Sequence, residues 1–216
     1  MQPTLKRMAM WLAGSAMLAA SVTAHAEFPT FEITPFVGAR MGGGFDIETE
    51  AGDTRSVDLE SGSSFGIDLG LYANEQGFYE LLYSTQEAGL DSNDPDLEDV
   101  DIRVQYLQFG GTAFFPNDRN RFLTYLSMTI GATMLEPTEG NYDSETKFSG
   151  SFGGGFRFPF NDRLAVSLGL RGYLTLIESD TDLFCSSTST GSGCLVRSSG
   201  STFFQTEGQL GFTFVF

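Results

Sequence analysis

Apolar and polar residues alternate with a period of two along most of this chain. At its far end Leu210, Phe212, Phe214 and Phe216 share one face, opposite Gln209, Gly211, Thr213 and Val215. That period marks a strand with one face against an apolar medium and the other against small or polar groups. Phe31, Ile33, Pro35, Val37, Ala39 and Met41 oppose Glu32, Thr34, Phe36, Gly38 and Arg40 in the same way. Phe65, Ile67, Leu69 and Leu71 oppose Ser64, Gly66, Asp68, Gly70 and Tyr72, while Tyr79, Leu81 and Tyr83 oppose Glu80, Leu82, Ser84 and Gln86. Phe152, Phe156 and Phe158 oppose Ser151, Gly153, Gly155 and Arg157. Leu164, Val166, Leu168, Leu170, Leu174 and Leu176 oppose Ser167, Gly169, Arg171, Tyr173 and Thr175. Two further strands, Ile102–Phe115 and Phe122–Met134, alternate less cleanly, and their register stays open.

Three short turn signals punctuate these runs: Ala73-Asn74-Glu75-Gln76-Gly77, Pro116-Asn117-Asp118-Arg119-Asn120 and Asn161-Asp162-Arg163. Their Asn, Asp and Gly content suits tight reversals. Glu75, Asp118 and Asp162 recur at intervals of 43 and 44 residues, which fits two spanning strands of ~10 residues with a turn and a loop. Between the short turns lie four long polar stretches, Asp46–Glu60, Glu87–Val100, Glu136–Glu145 and Glu178–Gly200. Seven connections join eight strands. An open sheet edge in lipid would leave backbone groups unpaired, so the expected architecture is an all-β, eight-stranded antiparallel transmembrane β-barrel. Short turns then face the periplasm and long loops face outward. Tyr79, Phe115, Phe122, Phe158, Phe160, Phe214 and Phe216 would form the aromatic girdle at the periplasmic border.

The beginning of the chain reads differently. Lys6 and Arg7 precede an apolar run from Met8 to Ala20, and Ala24-His25-Ala26 is an A-x-A cleavage site, the pattern of a signal peptide. The run is 13 residues, short of the ~18 that a membrane-spanning helix needs. Residues 1–26 are therefore expected to be removed after Ala26, leaving 27–216 as one barrel domain of the bacterial outer membrane.

Cleavage changes the charge and the chemistry. Loss of Lys6 and Arg7 leaves ten basic residues against 28 acidic ones, a formal net of −18, with Lys147 the one remaining lysine. Such acidity argues against nucleic acid as a partner, because phosphate binding needs clustered Lys and Arg. His25, the single histidine, leaves with the signal, which removes Ser-His hydrolase chemistry and His-ligated metal sites. Gly62-Ser63-Ser64-Phe65-Gly66 fits G-x-S-x-G in form, but that motif works on a strand-to-helix elbow with a histidine nearby. No catalytic residue, cofactor or metal site is assigned, and the expectation is a protein that is not an enzyme.

Three segments resemble the outer membrane protein beta-barrel domain proteins, small eight-stranded barrels often labelled porin-family. They are Glu32-Ile33-Thr34-Pro35-Phe36-Val37-Gly38-Ala39-Arg40, Phe148-Ser149-Gly150-Ser151-Phe152-Gly153-Gly154-Gly155-Phe156, and a late set of Arg171-Gly172-Tyr173, Cys185, Cys194, Gln205, Glu207 and Phe216. The resemblance spans nearly the whole mature chain. It implies outer-membrane lipid and lipopolysaccharide as surroundings. It also implies that a final strand carrying Leu210, Phe212, Phe214 and Phe216 is the assembly signal for the barrel-assembly machinery. A label of porin follows the fold and does not establish transport.

Seven charged residues fall on inward positions: Glu32, Arg40, Asp68, Glu80, Arg157, Arg171 and Glu207. Eight strands enclose a space only just wide enough for side chains, so charges of both signs are expected to pair and fill it. Two readings of function follow. One is a monomeric barrel with a filled lumen and a structural or surface-interaction role. The other is a narrow diffusion channel, kept open by the volume that Gly38, Gly66, Gly70, Gly153, Gly155, Gly169 and Gly211 would leave inside. The acidic run Asp91–Asp101 is a solvated loop or a weak divalent-cation site bridging to lipopolysaccharide. It is not an EF-hand, because Asp96 and Ile102 stand where that loop needs Gly and Glu. Cys185 and Cys194, the only cysteines, enclose eight residues and pass through an oxidising compartment, so a disulfide is expected.

Overall fold

The computed structural model describes residues 30–48, 54–91, 101–116, 122–138, 144–177, 181–188, 191–198 and 202–216, with backbone alone for 45–48, 54–57, 90–91, 181–188 and 191–198. The proposed signal and the acidic residues 92–100 lie outside the described residues, as does most of the Pro116–Asn120 turn.

Twelve strands are described, in chain order β1 (Phe31–Gly42), β2 (Gly44–Glu48), β3 (Thr54–Leu59), β4 (Gly62–Asn74), β5 (Gly77–Asp91), β6 (Asp101–Phe115), β7 (Leu123–Pro137), β8 (Glu145–Asn161), β9 (Leu164–Leu176), β10 (Thr181–Thr188), β11 (Gly191–Ser198) and β12 (Thr202–Val215). Eight of them close a barrel in the order β1-β4-β5-β6-β7-β8-β9-β12, every pairing antiparallel, with β12 returning to β1. The sheet has no free edge within the barrel, which is what a strand structure in lipid requires.

Side-chain chemistry fixes the register. On β9 Leu164, Leu168, Leu170, Leu174 and Leu176 point outward, while Ser167, Arg171, Tyr173 and Thr175 are buried inside. A slip of one residue would exchange the two sets. Pro35 sits mid-strand on β1, where it has no N–H to give. The β1–β12 ladder skips Thr34 and Pro35, and inside the barrel the Thr34 and Thr213 hydroxyls hydrogen-bond at 2.9 Å beside the gap. Two short turns are closed by asparagine. Asn74 Oδ1 accepts from the Gln76 N–H at 2.8 Å, and Asn161 Oδ1 accepts from the Arg163 and Leu164 N–H groups at 2.9 and 2.8 Å. Near these turns Phe31 stacks on Phe216 at 4.9 Å, and Phe122 meets Phe156 and Phe158 at 5.2 and 5.7 Å.

Two of the stretches read from composition as loops carry strands. β2 and β3 pair with each other, β10 and β11 likewise, and the two hairpins join at Ser198–Ile47 and reach the barrel through β3 and β5. The period-two signal is present there, in Phe45 and Ile47 and again in Val57 and Leu59, but it is short and set in polar sequence. Gly42 and Gly43, both at positive φ (81° and 98°), make the bend by which the chain leaves the barrel for β2.

The two strands of open register contain a change of phase. On β6, Leu107 and Phe109 face out and Gln108 and Thr112 face in, whereas nearer the long loops Ile102 and Val104 are buried inside and Arg103 lies outside. Outside, Arg103 donates to Glu87 at 2.6 Å and to Glu136 at 3.5 Å. The strand passes from lipid into water at this level, so the apolar side changes from outside to inside. The barrel continues beyond the membrane as a water-facing wall around an apolar core of Leu59, Ala88, Ile102, Val104, Leu135, Ile177 and Phe203.

Candidate functional site

The candidate site is the lumen. Beneath the apolar core lies the first ion pair. Arg40 on β1 gives Nη2 to Glu207 Oε1 on β12 at 2.8 Å and also bonds Ser84, while the Tyr173 hydroxyl and Gln209 donate to Glu207 Oε2, each at 2.6 Å. The guanidinium carbon lies 4.9 Å from the Tyr106 ring centre and 5.1 Å from that of Tyr173. Arg40 Nη1 has no hydrogen-bond partner among the described residues; the two ring faces beside the guanidinium supply its electrostatic contact. Gln205 accepts from the Tyr106 hydroxyl at 2.9 Å and donates to Gln86 at 3.2 Å, which completes this level.

At mid-barrel Arg171 on β9 reaches Glu80 on β5 at 2.6 Å and Ser151 at 3.1 Å, with the Thr112 hydroxyl on the second Glu80 oxygen. Thr129 links this pair sideways, bonding Ser151 at 2.6 Å and Gln108 at 2.7 Å. Toward the short turns Arg157 on β8 grips Glu32 on β1 with both terminal nitrogens, at 2.7 and 2.8 Å, and Tyr72 donates to the same carboxylate at 2.6 Å. Arg157 stacks over Phe114 at 4.6 Å, and Tyr72, Phe78 and Phe114 form a ring cluster around it.

The described lumen is thus polarised. Below the Arg40–Glu207 pair the carboxylates come from β1, β4 and β5, and the two guanidiniums come from β8 and β9 and cross the barrel to meet Glu32 and Glu80. Six of the seven charged residues named from the sequence stand in three pairs, Arg40–Glu207, Arg171–Glu80 and Arg157–Glu32. Asp68 is the seventh. It faces inward and is half-buried, and its Oδ1 has no hydrogen-bond partner among the described residues. Sequence reasoning did not name Tyr106, Tyr173, Gln108 or Gln205 as members of the network; their signal was parity with the charges, which on β6 needed the register that the phase change obscured.

The inward glycines do not leave open space. A Cβ at Gly66 would meet the Phe36 ring, one at Gly70 would lie 2.8 Å from the Phe78 ring, and one at Gly169 would run into the Tyr125 hydroxyl. These three glycines each receive an aromatic side chain from a nearby strand, because an aromatic needs more room than the pleat of a packed barrel leaves. A Cβ at Gly38, Gly153 or Gly211 would instead first meet backbone or small side-chain atoms. A cavity of about 30 Å³ remains, lined by Thr34, Phe36, Asp68, Phe78, Thr112, Tyr125, Arg157, Ser167, Arg171, Gln209 and Gly211. That is room for one or two water molecules. Ser64, the centre of the G-x-S-x-G match, is a buried inward residue near the start of β4, paired with Gly38 in the ladder rather than on an elbow.

No curated protein sequence matches the chain. Among solved structures, neisserial surface protein A superposes with a TM-score of 0.56 at 11% identity, over 85% of this chain and 96% of that one. Outer membrane protein OprG from Pseudomonas aeruginosa gives 0.57 at 11%, over 87% and 96%. Outer membrane protein AlkL, solved in DMPC lipid bilayers, gives 0.57 at 9%, over 87% and 90%. Identities this low speak for a shared fold. Residues 11–192 match the outer membrane protein beta-barrel domain, and the chain belongs to that family.

Proposed function

We propose that this protein is a monomeric, non-conducting barrel of the bacterial outer membrane that acts through its outward surface, without catalysis. The observation that carries the reading is the lumen: three buried ion pairs in tiers beneath an apolar core, with a cavity of only about 30 Å³ beside Arg157 and Arg171. Solute passage would require those pairs to separate inside a low-dielectric space, where an unpaired charge is costly. The working surface is then the wall above the lipid border, with the β2–β3 and β10–β11 hairpins. Its surroundings are outer-membrane lipid against the apolar belt and lipopolysaccharide against the rim. The chain is proposed to enter the envelope by signal cleavage after Ala26 and to be recognised by the barrel-assembly machinery through Leu210, Phe212, Phe214 and Phe216.

Single-channel recording of refolded protein in planar bilayers tests the reading. Current at background supports it, and discrete conductance steps establish the diffusion channel instead. Sequencing of the envelope protein should begin at Glu27, and boiled and unboiled samples should migrate differently on a gel. A Met1 start would refute the cleavage.

A further inference from the structure

We propose that the Asp162-Arg163 turn and the cleft beside it bind one phospholipid of the phosphatidylethanolamine class. The phosphate lies on Arg163, the ammonium on Asp162 and the acyl chains along the outer wall. The site rests on the outer-membrane placement proposed above, with the short turns toward the periplasm and so level with the phospholipid leaflet.

Asp162 and Arg163 are the two central residues of the turn between β8 and β9, whose ladder ends at the Asn161–Leu164 pair. The backbone of Arg163 is held from two sides. Its N–H donates to Asn161 Oδ1 at 2.9 Å, and its C=O accepts from the Val215 N–H of β12 at 2.9 Å. Its side chain is free. Arg40, Arg103, Arg157 and Arg171 each meet a carboxylate. The exposed Arg163 guanidinium has no ion-pair partner among the described residues, and neither has the exposed Asp162 carboxylate. Beside the turn, Leu164, Phe214 and Phe216 wall an apolar cleft of about 770 Å³ on the outer face. Phe216 is braced there by its stack on Phe31 at 4.9 Å. The cleft opens onto a continuous track, because the ladder pairs Leu164–Phe214, Val166–Phe212 and Leu168–Leu210 all turn apolar side chains outward.

Charge and shape together select the occupant. A lipid phosphate at the membrane border matches the open fork of the guanidinium. A headgroup with net negative charge would also meet the Asp162 carboxylate and be repelled by it. A headgroup that carries a phosphate and a primary ammonium offers each side chain an opposite charge, and its N–H groups can donate to the carboxylate. Choline has no such donors. The chains of the same molecule then bury apolar carbon on rings that the turn and Phe31 already hold in place.

Native mass spectrometry of the refolded protein in detergent micelles tests the site. The micelles are offered phosphatidylethanolamine, phosphatidylglycerol or phosphatidylcholine with the same acyl chains. One phosphatidylethanolamine should stay bound at concentrations where the other two do not. Arg163→Gln should weaken that binding about fivefold, the effect of one basic residue near a membrane surface. Asp162→Asn should remove the preference over phosphatidylglycerol. Arg103→Gln should change nothing, since its guanidinium is taken by Glu87 and Glu136 at the other end of the barrel. Migration of unboiled samples on a gel shows that each variant has closed its barrel. Equal binding of the three lipids by the wild type, unchanged binding in Arg163→Gln, or an equal loss in Arg103→Gln overturns the site. An antibody that reaches a tag in the Pro116–Asn120 turn on intact cells would refute the orientation instead, with binding in micelles unaffected.

Discussion

Arg40 and Glu207 meet 2.8 Å apart on neighbouring strands, both with fully buried side chains, although 167 residues separate them in sequence. They stand opposite one another in the ladder that closes the barrel, at Arg40–Glu207 of the β1–β12 register. Their pairing therefore depends on closure. The same seam is fastened lower down by the Thr34–Thr213 bond.

Removing one partner should be costly. Arg40→Ala leaves Glu207 buried with its tyrosine and glutamine donors but no cation, and Arg171→Ala leaves Glu80 buried with the Thr112 hydroxyl but no cation. Each should lower stability by roughly 3–5 kcal/mol, measured as urea unfolding in a bilayer or micelle, with conductance still at background. A rise in conductance with stability unchanged is the behaviour of a pore, and it would rule out the packed lumen.

The contact between Gly169 and Tyr125 should show as coupling. A methyl at Gly169 has no room beside the Tyr125 hydroxyl, so Gly169→Ala should cost about 1–3 kcal/mol through overpacking. Tyr125→Phe removes the obstructing oxygen, and the double variant should recover part of that loss. Strict additivity of the two changes would mean that the ring does not occupy the glycine's space.

Charge on the lipid face should be damaging in a way that charge at a turn is not. Leu168 is 54% exposed on the outer wall of β9, and Leu168→Arg near mid-membrane should cost about 2–4 kcal/mol. Glu75 sits in an exposed two-residue turn, where Glu75→Arg should shift stability by less than about 0.5 kcal/mol. Equal effects would place Leu168 away from lipid.

Cys185 and Cys194 are ladder partners across the β10–β11 hairpin. Directly opposed residues of an antiparallel pair have Cα atoms about 4.5–5.5 Å apart, inside the range that a disulfide spans. Protein isolated from the envelope should carry no titratable thiol until reduced, and Cys185→Ser should lower stability by about 2–3 kcal/mol. Two free thiols in unreduced protein would exclude the bridge.

Sequence alone determined the barrel. The period-two faces of β1, β4, β5, β8, β9 and β12 are local properties, set by a pleat that sends alternate side chains to opposite sides, and closure follows because lipid offers no partner for an open edge. The inward placement of charge was legible for the same reason. What the sequence could not give is which charge meets which. Arg157 and Arg171 lie on one wall and Glu32 and Glu80 on the other, and their partners depend on strand order, stagger and the reach of each side chain across the lumen. The fate of the glycines was equally non-local: Gly169 reads as spare volume until β7 brings the Tyr125 ring over it. On β6 the alternation reverses phase where the strand leaves lipid for water, so one stretch of sequence carries two opposite polarity rules. Only the level of the surrounding strands decides where one rule ends and the other begins.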